Sequence, residues 1–251
     1  MIILLFFAIH WYASLFFTSV FHHRYAAHRT YSMRKGWERL FFLGSFLTQG
    51  SSYISPRSFG IMHRLHHLHA DTPNDPHSPL YHSGLWRVML QTRNSYHYIH
   101  TGNTVVSEKI RNDVPRWDAF DAIAHNWITR LIWIGVYIAI YIRYASSPWL
   151  FALLPFTIIM STLHGALVNW WAHRFGYRNY PVADDSRNIL PVDFLMLGEA
   201  YHNNHHKFPG RPKLSHRWFE VDPGYQVLRV LDLLGIIRLN QLTAEKPRDP
   251  A

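Results

Sequence analysis

The chain has 251 residues, no cysteine and a formal net charge of +9, and 48% of its residues are hydrophobic. Without cysteine there can be no disulfide, no thiolate ligand and no iron–sulfur cluster bound by this chain. The positive balance comes with no compact Lys/Arg run or nucleic-acid-binding module, so nucleic acid is not an expected partner.

From the N-terminus, Met1–Phe21 is almost wholly apolar and aromatic, broken by His10 and small hydroxyl residues, and is about long enough to cross a bilayer. It lacks a basic n-region and a small-residue cleavage site, and so reads as a retained span rather than a signal peptide. Arg24, Arg29, Arg34, Lys35 and Arg39 follow directly. They form a positive-inside signal, with anionic lipid or an acidic redox partner as secondary beneficiaries. Trp37–Ile54 carries Glu38, Arg39, Gln49 and several Ser and Gly, which suits an interfacial or re-entrant helix. Residues 57–126 read as a polar cytoplasmic insert, with Asp71-Thr-Pro-Asn-Asp-Pro76 as turn chemistry.

Trp127–Tyr144 and Pro148–Val168 read as second and third spans joined by Ala145-Ser-Ser147, with Arg130 and Arg143 snorkelling near the ends of the second. Residues 169–242 follow on the cytoplasmic side and include an amphipathic stretch, Tyr225–Ile237, before a loose tail, Thr243–Ala251. The expected fold is therefore all-α and membrane-integral, a single domain over 1–251. It has about three transmembrane helices (1–21, 127–144, 148–168), one interfacial or re-entrant helix and a cytoplasmic helical cap (22–126 and 169–251).

Histidine is the outlier, with 19 residues of which nine are spaced in sets. His23-Arg-Tyr-Ala-Ala-His28 is an HxxxxH box, while His63-Arg-Leu-His66-His67 and His202-Asn-Asn-His205-His206 are HxxHH boxes. Asn169-Trp-Trp-Ala-His173 adds a ninth histidine with an amide four residues before it. At this content one HxxHH arises by chance about 0.1 times per chain, so two of them carry chemical information. Positions i, i+3 and i+4 share a helix face, and each HxxHH is expected to converge on one spot. The step from His23 to His28 is about 140° on an ideal helix, so that pair is expected where a helix frays or bends. Nine imidazoles exceed one coordination sphere, and two metals sharing them is the simplest count. Neutral imidazole suits iron, zinc and copper alike.

Parity orders the membrane segments. All boxes must reach one side, so Trp37–Ile54 cannot cross, and spans two and three must form a hairpin that leaves the site side and returns. Glu199, Asp71 and Asp75 lie near the boxes and are candidates to accept N–H bonds from ligand imidazoles. His22, His69, His77, His82, His97, His100, His125 and His216 read as structural or solvent-facing. His10 and His164, within spans, read as hydrogen-bonding groups between helices.

Assembled, the motifs resemble the membrane fatty acid desaturases, closest to the acyl-CoA (stearoyl-type, delta-9) branch. The shared pattern includes Asp75-Pro-His77 after the second box, Asn169-x-x-x-His173-x-Phe-Gly-Tyr, Gly198-Glu-x-Tyr-His202 and the downstream Asp222-Pro. The resemblance implies two Fe2+ ions held by His23, His28, His63, His66, His67, His173, His202, His205 and His206, with Asn169 reaching one through water. Zinc is a possible misloaded substitute. The implied reaction is O2-dependent syn-dehydrogenation of a saturated acyl chain to a cis alkene. Where the animal enzymes carry an arginine that grips the CoA headgroup, this chain has Ile61. The acyl carrier is therefore CoA or, alternatively, a membrane lipid or carrier protein.

The chain has neither a GxGxxG fingerprint nor a His-Pro-Gly-Gly haem motif. The reaction would thus draw electrons from a separate carrier, a ferredoxin or cytochrome b5-like protein with its reductase. Two other readings compete. A di-iron membrane hydroxylase shares the metal chemistry, although alkane hydroxylases carry Glu-containing boxes not seen here. A histidine-rich metal transporter would need polar residues lining the spans.

Overall fold

A computed structural model describes residues 1–80 and 84–240. The tail expected over Thr243–Ala251, and His82, lie outside the described residues.

Helix α1 (Ile2–Phe16) continues without a break into a π-helical segment, Phe17–Ala27, making one rod of 26 residues. At about 1.5 Å per residue over its α-helical part and somewhat less over the π-helical part, the rod is roughly 35 Å long, enough to cross a bilayer. Strand β1 (Tyr31–Met33) pairs antiparallel with β2 (Ile237–Leu239) in the register Tyr31↔Leu239, Ser32↔Arg238, Met33↔Ile237. Among the described residues this ribbon and two isolated bridges, Tyr177↔Asn188 and Asn188↔Tyr201, depart from the all-α expectation, and the ribbon ties residues 31–33, just after the first histidine box, to 237–239.

Helix α2 (Lys35–Gln49) ends in a 3-10 turn, Gly50–Ser52, and packs back along the first rod. Helix α3 (Pro56–His69) starts on a Ser55 cap, whose Oγ accepts from Ser58 N, with Pro56 at the first position. Helices α4 (Leu85–His100), α5 (Glu108–Arg111) and α6 (Asp118–Ala124) follow. Helix α7 (Trp127–Tyr144) is capped by Asn126 Oδ1 accepting from Ile128 N at 2.8 Å. A 3-10 stretch, Pro148–Leu153, leads into the short helices α8 (Leu154–Ile158) and α9 (Met160–Ala166) and a second π-helical segment, Leu167–Trp171. Helix α10 (His202–Lys207) carries the last box, and α11 (Pro223–Leu233) precedes β2.

Among the described residues, Ile2–Ala27 is the one unbent helix long and apolar enough to cross a membrane. The other two candidates are bent pairs: Asp118–Ala124 with Trp127–Tyr144 turns by 50°, and Pro148–Ile158 with Met160–Trp171 by 72°. The segment read as a third continuous span is therefore broken at Ile159.

Helix α1 buries Ile3, His10, Ser14 and Leu15 while exposing Leu4, Leu5 and Ile9. Helix α7 buries Tyr137 and Tyr141 and exposes Ile128, Leu131, Ile132 and Ile142. Polar groups inside and aliphatic groups outside reverse the pattern of a water-facing helix. The buried polar groups pair across helices. His10 Nε2 lies 3.2 Å from the Thr157 carbonyl, Ser14 Oγ 3.3 Å from Ser161 Oγ, and Tyr141 Oη 2.8 Å from Thr157 Oγ1. His10 thus does what a span histidine is expected to do. His164 does not: both ring nitrogens are buried without a partner, and the ring meets the edge of Trp11 at 4.6 Å.

Candidate metal centre

The first box sits at the end of the π-helical segment, and this winding accounts for the five-residue spacing. A π-turn closes i→i+5, as in the 3.2 Å bond from His28 N to the His23 carbonyl, and so brings residues five apart onto one face. The spacing marks a change of winding, where fraying or bending was expected.

Helix α3 is held against that end at short range. A Cβ on Gly60 would lie 2.9 Å from the Ala26 carbonyl oxygen, so only glycine permits the approach. Arg64, between the histidines of the second box, donates from Nε to Ala27 O at 2.7 Å and from Nη2 to Ala26 O at 3.3 Å. It caps the orphan carbonyls of the π-helical end.

The nine imidazoles converge, in two groups. His23, His28, His63 and His205 form the first and His66, His173, His202 and His206 the second, with ligand atoms of each group within 4.8 Å of one another. His67 joins the first group, its Nε2 lying 2.8 Å from His205 Nε2 and 3.0 Å from His63 Nε2. Each HxxHH box is therefore divided, with its i and i+4 members on one group and its i+3 member on the other. The expectation that each box meets at one spot is corrected by helix geometry. At about 100° per residue, i+4 lies some 40° to one side of i and i+3 some 60° to the other, so the last two point roughly 100° apart.

Carboxylates fix four of the rings. Asp75 takes His66 Nδ1 at 3.0 Å on both oxygens, Asp71 Oδ2 takes His173 Nδ1 at 2.8 Å, and Asp184 Oδ2 takes His206 Nδ1 at 2.9 Å. Glu199 Oε2 lies 2.6 Å from His23 Nδ1. All three carboxylates singled out from the sequence hold a box histidine. Asp184 was not legible there, since it lies in an irregular loop with no periodicity or motif around it.

In a neutral ring a carboxylate at Nδ1 selects the tautomer that carries its proton there and leaves Nε2 bare. His66 Nε2 and His206 Nε2 then face each other at 3.2 Å as two lone pairs. That is no hydrogen bond, but it matches two ligands of one ion. Nitrogens about 2.1 Å from a metal and roughly at right angles lie about 3 Å apart. The donor set therefore fits a cation in each group. Burial, and next the neighbouring imidazoles, push His28, His63, His66, His202, His205 and His206 well below their ordinary range, and burial brings His67 down to about 3. At neutral pH these rings are neutral and competent to bind metal. Burial works against ionisation of Asp71, but the contact with His173 and the bonds from Asp185 N and Ser78 Oγ together outweigh it and hold the carboxyl down to about 2.

The last box needs outside support, because α10 has six residues and cannot stand alone. Asn188 Oδ1 accepts from Asn203 N at 3.0 Å and Asn204 N at 3.3 Å. Glu220 Oε2 accepts from Asn204 Nδ2 at 2.8 Å. Asn203 and Asn204, the two spacers of His-Asn-Asn-His-His, are thus the buried struts of the box.

A cleft beside the two groups is lined by His23, His63, His202, Asn169 and Glu199 together with Leu15, Val168 and Met196. Of the histidines read as structural, His22 is buried against Ser45 and Gln49. His77 is buried beside His66 on the cleft wall with neither nitrogen bonded.

Comparison with known proteins agrees with this geometry. A sequence model described as "Fatty acid desaturase" matches residues 1–221. The sn-1 stearoyl-lipid 9-desaturase of Anabaena variabilis is 30% identical over 230 residues, covering 89% of this chain and 78% of that protein. Its namesake from Synechocystis is 29% identical, covering 89% and 66%. The acyl-CoA C20 Delta5-desaturase of Anemone leveillei is 28% identical, covering 92% and 70%. The chain belongs to the fatty acid desaturase family.

Proposed function

We propose that the chain inserts a cis double bond at carbon 9 of a saturated, lipid-esterified acyl chain, using O2 and two iron ions. One ion would be held by His23, His28, His63, His67 and His205, the other by His66, His173, His202 and His206, with Asn169 reaching the second through water. The observation that carries this reading is the facing of Nε2 atoms in two groups, with carboxylates on the Nδ1 atoms of His66, His173 and His206 in one and of His23 in the other. Two ferrous ions supply the redox capacity to reduce O2 and remove two hydrogens from an unactivated methylene, which no side-chain acid or base can do.

The chain's own part is placement and exclusion. The cleft beside the imidazoles is also lined by Leu15, Val168 and Met196, which offer a methylene chain apolar contact and no hydrogen bonds. The domain spans 1–251, with three crossings (Ile2–Ala27 and the two bent pairs) and the site on the cytoplasmic side. The basic residues after the first crossing and the parity of the boxes support that topology.

A lipid carrier is favoured over CoA by Ile61. Its side chain is 1% exposed and packs with Met62 and Ile99, so nothing charged meets a CoA headgroup at that position. Acyl-CoA is the second reading, supported by the relative from Anemone leveillei whose name carries that substrate.

Electron balance requires a partner. O2 accepts four electrons on reduction to two waters and the acyl chain gives two, so two more come from outside. The partner is a ferredoxin or cytochrome b5-like carrier with its reductase. The test is reconstitution in vesicles with carrier, reductase and NAD(P)H, supplying stearoyl groups either in phospholipid or as stearoyl-CoA. A cis-9 alkene from the phospholipid arm is expected. Product from the CoA arm alone would transfer the reading to acyl-CoA, and an alcohol product would make the chain a hydroxylase.

A further inference from the structure

Arg24 follows the first box histidine and reads in the sequence as one of the basic residues flanking a span. In the structure it is 1% exposed and sits between two carboxylates. Its Nη2 donates to Asp222 Oδ1 at 3.1 Å and Oδ2 at 3.3 Å, reaches the Leu197 carbonyl at 3.3 Å, and lies 3.7 Å from Glu199 Oε1. Nε and Nη1 are buried with no partner, so the guanidinium is held from one end.

Glycines leave the room for it. A Cβ on Gly224 would lie 2.2 Å from Arg24 Nη1, and one on Gly198 would lie 2.3 Å from Asp222 Oδ1. Leu197 and Gly198 both have left-handed backbone, at φ +54° and +94°. For Leu197 that conformation is strained, and its carbonyl is the one that Arg24 reaches.

Each carboxylate has a second attachment. Glu199 contacts His23 Nδ1 through Oε2 and accepts from Ser19 Oγ at 2.6 Å through Oε1. Asp222 accepts from Tyr225 N and from Leu214 N, both at 2.8 Å, and so caps α11. A buried chain of charge therefore links His23 through Glu199, Arg24 and Asp222 to the start of the C-terminal helix.

We propose that Arg24 is a positioning residue for the five-histidine metal: locked by Asp222, it keeps the Glu199 carboxylate aimed at His23 Nδ1, and so keeps His23 Nε2 directed at the ion. The inference rests on the reading of His23 as a ligand. It makes Asp222 and α11, which lie past the residues matched by the family model, part of the support of the metal centre.

A purely structural ion pair behaves differently, because a buried pair replaced by apolar residues of similar volume usually leaves stability about unchanged. The discriminating variant is therefore Arg24→Met with Asp222→Leu, purified in lipid discs and loaded with iron. Its thermal midpoint is read together with the rate at which a ferrous chelator strips each ion. The expected result is a midpoint lowered only by the lost α11 cap, with one of two ions released about 10–100-fold faster, the usual cost of losing a histidine's carboxylate support. Gly224→Ala, which removes no charge but displaces Nη1 and the Leu197 carbonyl that Arg24 reaches, should also speed release, and it carries the test if the double variant does not fold.

Arg24→Gln with Glu199→Gln should release iron no faster than Glu199→Gln alone, since Arg24 acts through Glu199. Wild-type release from the apolar pair, or from Gly224→Ala, would overturn the proposal, as would effects of Arg24→Gln and Glu199→Gln that multiply. A wild-type protein that never holds iron would instead refute the ligand assignment, so the two failures are distinct.

Discussion

His67 Nε2 and His205 Nε2 lie 2.8 Å apart, although 138 residues separate them in the chain. The second and last boxes meet through that contact, and it assigns His67 to the same group as His63 and His205 rather than to that of its neighbour His66.

Two metal ions per chain are expected from the two groups of imidazoles. Metal analysis of the folded, lipid-embedded protein checks the count. Overexpression is expected to load zinc in part, giving an intact protein whose activity returns on exchange for Fe2+. One ion or none would sink the assignment.

The division within each box predicts that adjacent histidines serve different ions. His67→Ala should lower occupancy of the five-histidine site and His66→Ala that of the four-histidine site, each leaving about one ion per chain. Both should fall below a tenth of wild-type turnover with membrane insertion unchanged, because the apolar spans do not depend on the metal. Spectra of cobalt-loaded variants distinguish the two sites, and identical spectra would contradict the split.

Asp184 holds His206 Nδ1 at 2.9 Å and has no other box ligand. Asp184→Asn should weaken retention of the four-histidine ion by about 10–100-fold while leaving the other site unchanged. Chelator titration reads this directly, and equal loss from both sites would show that the loop acts on the fold.

A stability change with pH is expected at His216, away from the metal groups. Burial first, and Arg211 next, bring this ring down to about 4 from an ordinary value near 6.5. The unfolded chain binds the proton more readily, so the stability contribution is whole above pH 6.5 and is lost as pH falls from 6.5 towards 4. The ring lies between Tyr180 and Phe208, so His216→Phe keeps an aromatic there and removes the titration. Thermal midpoints at pH 7 and pH 5 should fall less in the variant than in the wild type, and parallel falls would refute this.

Electron delivery should depend on salt. An acidic carrier approaching a chain of net charge +9 is steered by opposite charge, and a Debye length of about 8 Å at physiological ionic strength shortens the reach of that attraction. Turnover with limiting carrier is expected to fall as salt rises, whereas turnover driven by a small uncharged reductant should not. Product formed from NAD(P)H and O2 without any carrier would refute the need for a partner.

Much of the site was legible in the residues alone, because local chemistry writes it at short range. Spaced imidazoles mark metal ligands, a carboxylate near a box marks its support, and an apolar run of some 20 residues marks a span whatever surrounds it. Hence the nine histidines, Asp71, Asp75, Glu199 and the limits of α7 could be named before any fold was known. What depended on long-range packing was out of reach. Assigning His66 and His67 to different groups needs the direction in which α3 faces α10, and the five-residue spacing of His23 and His28 does not by itself distinguish π winding from a bend. Asp184 reaches His206 only because a loop folds over the site, and Arg24 counts as a surface charge until Asp222, 198 positions away, closes on it. A sequence records which groups can bind, but which of them share an ion is set by where distant segments are buried together.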